Sequence, residues 1–330
     1  PLSLGLPIRE ISLGGDGTRV ILAAVTADPA SPGVLAELGP ALEVVASSNL
    51  VGMRAPRVAV HEGTFRVAAT VEDGRLTLLT GRAVGSYDAA LTTIFRGPLV
   101  TLARPAWNGA AAAIAGQNGF ELFLGAFVPA GTSIAWRSFG PASDVEVAAQ
   151  PSSGIAELLH RAADDSLRVE TFASDGAALW PPGGVVLEDV GLRGRVAFGW
   201  LEDGTDQPLV LAGFVVAPDG FARAVLRRFR NDGTAAGGFT APIPMAMPRS
   251  IDLTTVAPPG HTSGYGVIIG NQFGAIFHGA GQDFVGDARP VSMPCDGFQV
   301  SIAAGPCGYV IACVYAGDVQ LALAVPPLPR

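Results

Sequence analysis

Five arginines recur just ahead of strand-like segments, and they are the residues best placed by type and spacing to do chemistry. Arg9 opens Arg-Glu-Ile-Ser-Leu, Arg54 opens Arg-Ala-Pro-Arg-Val-Ala-Val, and Arg104 opens Arg-Pro-Ala-Trp. Arg193 opens Arg-Gly-Arg-Val-Ala-Phe and Arg249 opens Arg-Ser-Ile-Asp-Leu. The intervals are 45, 50, 89 and 56 residues, and the interval of 89 is about two of the others. A guanidinium fork matches carboxylate, sulfate or phosphate in two-point hydrogen bonds. Brought to one mouth of a ring, the five would concentrate positive potential in a chain of net charge −8. The expected ligand is an acidic glycan or an acidic protein segment. The competing reading makes each Arg a structural link to carbonyls of a neighbouring repeat.

Trp107 abuts Asn108-Gly109 and is expected to offer an indole face to a sugar ring at the same site. Trp180 and Trp200 also stand beside turns, whereas Trp136 reads as core. Signs of catalysis are thin. The four His (His61, His160, His261 and His278) are scattered, and no G-x-S-x-G or H-E-x-x-H motif occurs. Most carboxylates fall in turns, where Asp is a good turn residue. A non-catalytic binding module is therefore expected, with a polysaccharide hydrolase or lyase as the alternative and a structural subunit of a larger assembly as a third reading.

No cofactor or metal is expected. Asp203-Gly204-Thr205-Asp206 lacks the full calcium-loop pattern, and Cys295, Cys307 and Cys313 lack zinc-site spacing. An odd number of Cys allows one intrachain bridge at most. Folding the C-terminal segment about Gly305-Pro306 puts Cys295 opposite residues 313–317, so a Cys295–Cys313 disulfide is conceivable, with Cys307 free.

Composition narrows the classes further. The 21 basic residues are all Arg, and acidic residues outnumber them at 29. That balance argues against a nucleic-acid binder, which needs a broad basic surface. No run of about 18 uninterrupted apolar residues indicates a membrane-spanning helix. The chain opens on Pro1-Leu2-Ser3-Leu4, with neither the basic nor the apolar stretch of a signal peptide.

The elements that must position the arginines are strands. Nine Asp-Gly or Asn-Gly dipeptides punctuate the 330 residues, most beside short apolar runs. Such pairs supply the two positive-φ residues of a type I′ hairpin turn. The second unit shows the order best: strands at 57–61, 65–71, 75–83 and 91–95, separated by turns at Glu62-Gly63 and Asp73-Gly74. The first unit gives 10–13, 19–25, 34–38 and 42–46. Four antiparallel strands per 40–50 residues is the pattern of a β-propeller blade.

The expected fold is thus all-β. It is a single seven-bladed propeller over 1–330, with blades near 9–53, 54–103, 104–149, 150–192, 193–248, 249–294 and 295–330 plus 1–8. The last unit has room for three strands, at 298–304, 309–315 and 319–325. The N-terminal segment 2–8 is expected to add the fourth and close the ring, removing two exposed edges.

Two segments end in Phe-x-x-Asp-Gly: Val169-Glu170-Thr171-Phe172-Ala173-Ser174-Asp175-Gly176 and Leu226-Arg227-Arg228-Phe229-Arg230-Asn231-Asp232-Gly233. This strand-and-turn resembles the delta-60-type and related propeller repeats of bacterial surface proteins, as does Pro105-Ala106-Trp107-Asn108-Gly109. The resemblance implies a secreted or surface-displayed bacterial protein. It assigns no activity, since that family has no single one.

Overall fold

A computed structural model describes residues 7–28, 31–71, 76–85, 93–94, 102–107, 112–118, 121–127, 135–149, 156–162, 164–173, 177, 184–187, 191–192, 196–201, 209–242, 250–260, 265–270, 274–279, 289–291 and 299–325. Every regular element among them is a strand. No helix among the described residues is long and apolar enough to cross a membrane.

The first sheet is β1 (Ile8–Gly15), β2 (Val20–Thr26), β3 (Gly33–Leu38) and β4 (Val44–Leu50), hydrogen-bonded in that order. The second is β5 (Met53–His61), β6 (Thr64–Val71), β7 (Leu76–Gly81) and β8 (Thr93–Ile94). A continuous seven-stranded sheet follows: β9 (Leu102–Trp107), β10 (Ala112–Asn118), β11 (Glu121–Phe127), β12 (Ala135–Ala149), β13 (Ala156–Ala162), β14 (Leu167–Phe172) and β15 (Val185–Val186). Two four-stranded sheets come next. One is β16 (Ala197–Trp200), β17 (Leu209–Val216), β18 (Ala222–Phe229) and β19 (Ala235–Pro242); the other is β20 (Ser250–Thr254), β21 (Tyr265–Gly270), β22 (Gly274–Gly279) and β23 (Arg289–Val291). The last sheet has three strands, β24 (Val300–Gly305), β25 (Gly308–Tyr315) and β26 (Asp318–Ala324). All pairings are antiparallel.

The long strand β12 joins what the sequence separates. Its first half pairs with β11 up to Pro141, and its second half pairs with β13 from Ala142 onward. The expected unit starting at 150 therefore takes its first strand from within 142–149, before the expected boundary. Proline lacks an N–H, so position 141 is where a ladder can be exchanged at least cost.

The sheets stack through both faces, which explains why β2 reads as an unbroken apolar run and is buried throughout. Leu22 and Ala24 point toward Ala303, Val310 and Ala312 of the last sheet. Ile21 and Ala23, one pleat away, point toward Phe65 and Val67 of the second. Leu209, Leu211, Val225 and Phe229 meet Leu159, Val169 and Leu187 in the same manner. Strands from successive sheets, together with the middle strand β12 of the seven-stranded sheet, lie side by side in chain order: β1 by β5, β5 by β9, β9 by β12, β12 by β16, β16 by β20, β20 by β24, and β24 by β1.

Side chains reinforce that succession. Ser12 Oγ accepts the Val58 N–H at 3.1 Å, and Ser301 Oγ accepts the Leu13 N–H at 2.9 Å. Asp252 Oδ2 accepts both the Ser301 hydroxyl (2.7 Å) and the Ile302 N–H (2.9 Å). A buried polar atom without a partner is costly, so these bonds hold first strands in register across sheet boundaries.

The turns differ from the type I′ expectation. Of the nine dipeptides, Asp16-Gly17, Asp219-Gly220 and Asp232-Gly233 lie wholly within the described residues. In each, only the Gly has positive φ (85°, 80° and 84°). The Asp instead accepts the N–H two residues on, as Asp232 Oδ1 does from Thr234 at 2.9 Å and Asp219 Oδ1 from Phe221 at 3.0 Å. These are longer hairpin loops built on an Asp side-chain turn with a left-handed Gly. The type I′ positions fall elsewhere, at Glu62-Gly63 (φ 45° and 70°) and Ala316-Gly317 (φ 52° and 84°).

Ile8 is a second correction. It belongs to β1, paired with Thr26, and its N–H donates to Gly317 O at 2.8 Å. Residues 1–6 lie outside the described residues. Cys313 is buried and disulfide-bonded, whereas Cys307 is a free, exposed thiol in the β24–β25 turn. Cys295 lies outside the described residues.

Candidate functional site

Two of the five recurrent arginines meet. Arg9, Glu10, Val25, Thr26, Ala27 and Arg54 line one cavity of about 130 Å³, where the starts of β1 and β5 face the end of β2. Both arginines sit at irregularities in their ladders. Ile8 pairs with Thr26 and Glu10 with Val25, which leaves Arg9 as the extra residue of a bulge. Arg54 pairs with Thr70, and regular pairing resumes only at Arg57–Ala68. A bulge breaks the strict alternation of side chains, so it can turn a residue of a packed inner strand toward a cavity. Both arginines are exposed, Arg9 with 69% of its side chain accessible.

The β5 bulge carries backbone strain. Ala55 has φ 47°, a left-handed conformation that costs a residue with a Cβ about 1–2 kcal/mol. The Thr70 hydroxyl reaches Arg54 O at 3.4 Å and ties the bulge to β6. Replacing Ala55 by Gly should relieve part of that cost and raise the unfolding free energy by about 1 kcal/mol. Urea unfolding monitored by circular dichroism measures it, and a loss of stability would show the bulge to be unstrained.

Around the cavity, Arg9 Nε stands 4.0 Å from Glu10 Oε1, an ion pair too open and too exposed to contribute much. Glu10 Oε2 is shielded from solvent and accepts no hydrogen bond. The adjoining loop is pinned by the Thr26 hydroxyl, which donates to Asp28 O at 2.6 Å.

The remaining expected site residues are less assembled. Arg104 is the third residue of β9, paired with Ala115, and Trp107 ends that strand, paired with Ala112. They are three positions apart, about 10 Å along the strand, with Arg104 inside it and Trp107 at its end. Arg193 and Arg249 lie outside the described residues. Trp200, the last residue of β16, packs against the cluster around Leu209 and Phe229. Its role there is packing.

A sixth arginine, Arg19, plays the structural role weighed for the five, linking to carbonyls of a neighbouring sheet. Arg19 forms a fork to Glu37, Nε to Oε1 at 2.8 Å and Nη2 to Oε2 at 2.6 Å. Its Nη1 donates to Gly63 O and Arg82 O in the second sheet. Its guanidinium carbon lies 5.6 Å from the Phe65 ring centre. Beside it, Asp16 Oδ2 accepts the Gly63 N–H at 2.9 Å. Burial raises the Asp16 pKa, but the N–H groups of Gly63, Thr18 and Arg19 and the Thr18 hydroxyl outweigh it and hold the value below the usual range.

Glu10 was not singled out in the sequence, although the signal is there. Arg9 alone among the five is followed by an acid; the others precede Ala55, Pro105, Gly194 and Ser250.

No family model and no curated protein matches the chain. Solved structures do. The BP39L lectin from Burkholderia pseudomallei is similar at a TM-score of 0.64 and 13% identity, over 97% of this chain and 96% of that one. The fold is that of a β-propeller. The Dos1 propeller is similar at a TM-score of 0.52 and 8% identity, over 99% and 95%. The SapL1 lectin, solved with alpha methyl fucoside, is similar at 0.54 and 13%, over 88% and 97%. At these identities the likeness extends to the fold alone.

Proposed function

We propose that the chain is a closed seven-bladed propeller and a non-catalytic carbohydrate-binding module. It takes an acidic glycan, or an acidic protein segment of like charge, at the mouth where β1 and β5 begin. The observation that carries the binding site is the shared cavity. Arg9 and Arg54, on bulges of neighbouring first strands, line one recess. Guanidinium forks suit carboxylate, sulfate or phosphate groups, which supports an anionic ligand at this recess. The lectin folds among its structural neighbours are consistent with a sugar ligand.

Seven blades follow if the halves of β12 serve two successive blades. The contact of β24 with β1 supports closure. The bond from Ile8 N to Gly317 O sets the chain beside the β25–β26 turn, from which residues 1–6 can run along β26 as its missing neighbour. Leu2, Leu4 and Leu6 alternate as an edge strand requires. The same reading pairs Cys295 with Cys313, since Cys307 is free; non-reducing peptide mapping decides it. A bridge of that kind and the resemblance to bacterial surface repeats fit an extracellular setting.

The test is direct. Binding to an array of neutral and acidic glycans should favour acidic ones and weaken with salt. Arg54→Ala should lower the affinity of the best acidic glycan about tenfold or more, the usual loss for a charged hydrogen-bond partner, at unchanged melting temperature. Full affinity in both Arg9→Ala and Arg54→Ala would place the ligand elsewhere.

A further inference from the structure

We infer that Ile8 and Gly317 are positioning residues for the proposed site. Together they hold the bulge that turns Arg9 to the cavity, so the site is completed where the last sheet meets the first. This rests on the glycan-binding reading and names the residues on which its Arg9 geometry depends.

Side chains of a regular strand alternate between its two faces. Ile11 and Leu13 are buried in the cluster that joins the first sheet to the last, so strict alternation would send position 9 there as well. Ile8 is buried there instead, and Arg9 stands exposed at the cavity. The surplus residue between the pairs Ile8–Thr26 and Glu10–Val25 makes that exchange. Without it, β1 would carry a guanidinium toward Val310, Ala312 and Val319, a costly burial for a charge. The cavity would lose one of its two arginines.

A bulge stays in place when the chain is fixed on both sides of it. On the C-terminal side, the ladder with β2 is regular from Glu10 to Gly15, and the Leu13 N–H is bound by Ser301. On the N-terminal side the last sheet supplies the firmer tie. The Ile8 N–H donates to Gly317 O at 2.8 Å, whereas the bond from Ala27 N–H to Pro7 O is 3.4 Å long. Gly317 has φ 84° in the β25–β26 turn, and an added Cβ would stand 3.4 Å from Pro7 Cα and 3.9 Å from Ile8 N. Glycine thus serves the turn and the close approach of the Pro7–Ile8 backbone at once. Ala27, whose N–H meets Pro7, itself lines the cavity. A shift at residues 7–8 therefore reaches the recess through both β1 and the end of β2.

Two matched pairs of variants test the inference. Gly317→Val adds bulk against Pro7, while Gly220→Val meets a similar left-handed backbone (φ 80°) with no atom within 4 Å. Ile8→Ala removes the buried anchor of the bulge, while Ile11→Ala removes a buried neighbour from the regular ladder opposite Ala24. In the unliganded chain, amide exchange at Ala27 followed by NMR should rise at least about tenfold in Gly317→Val and Ile8→Ala and stay near wild type in the two controls. Calorimetric titration with a chondroitin sulfate tetrasaccharide, which offers carboxylate and sulfate groups together, reads the site. Affinity should fall about fivefold or more in Gly317→Val and Ile8→Ala, the loss expected when about a fifth of the molecules keep the competent arrangement. In the controls it should fall less than about twofold. Circular dichroism melts confirm folding, and the Ile8 pair carries the test by itself should Gly317→Val not fold. Unchanged exchange at Ala27 in the folded test variants, or equal loss of affinity in each variant and its control, overturns the inference. If tetrasaccharide affinity depends on Arg54 but not on Ile8 or Gly317, the glycan reading survives and this one fails. If it depends on neither Arg9 nor Arg54, the glycan reading fails, and the exchange result decides whether Ile8 and Gly317 hold the bulge.

Discussion

Arg19→Ala should lower the unfolding free energy by about 3 kcal/mol. The reason is what remains after truncation. Glu37 loses both hydrogen bonds of its fork with only 26% of its side chain exposed, and Gly63 O and Arg82 O each lose a donor. The Phe65 ring also loses the guanidinium above it. Because these partners lie on two sheets, the substitution loosens the joint between the first and second sheets as well as a local pair. Chemical denaturation measures the loss. Arg19→Lys, which keeps the charge but not the fork, should recover only part of it. A loss under about 1 kcal/mol for Arg19→Ala would class the pair with ordinary surface ion pairs.

Gly15→Ala should cost about 2–3 kcal/mol, for a steric reason at the opposite joint. A Cβ at Gly15 would stand 2.2 Å from Ala304 O and 3.2 Å from Ala303 Cβ, both on β24. The nearest obstacle is backbone, so relief requires moving β1 away from β24, and the Leu13 N–H to Ser301 bond resists that movement. Gly52→Ala is the matched control. Gly52 has φ 67° and no atom within 4 Å of an added Cβ, so only the conformational cost of about 1 kcal/mol remains. If Gly15→Ala costs no more than Gly52→Ala in the same denaturation series, β1 does not pack closely on β24 and the closed ring is wrong.

Much of the architecture was legible in the chain because it depends on short-range pattern. The apolar run 20–25 reads as a strand whatever surrounds it, and the Gly after each Asp marks a reversal whichever hairpin type results. Turn geometry was less legible: Asp16, Asp219 and Asp232 bond to the N–H two residues on, and that choice between loop types depends on how many residues the flanking strands leave unpaired. β12 was missed as a single strand because the units were divided at 149/150, whereas its ladder changes partner at Pro141–Ala142, a change that depends on the neighbouring strands.

The site divides along the same line. Residue type and spacing picked out Arg9 and Arg54 as candidates, and charge indicated the kind of ligand. Their meeting in one cavity depends on bulges at Arg9 and at 54–57 and on the side-by-side packing of β1 and β5. None of this is local: a bulge is defined by the partner strand, and the cavity by three strands from two sheets. Glu10 shows it most clearly. As one acid among 29 acidic residues its type says nothing, and only the fold shields one of its oxygens beside two arginines. Sequence alone thus determined the strands, their repetition and the chemistry on offer, since these follow from the period-two pattern and turn propensity of the local chain. Tertiary structure decided which arginines converge and which one, Arg19, clamps the sheets, because burial and partnership are properties of the packed molecule.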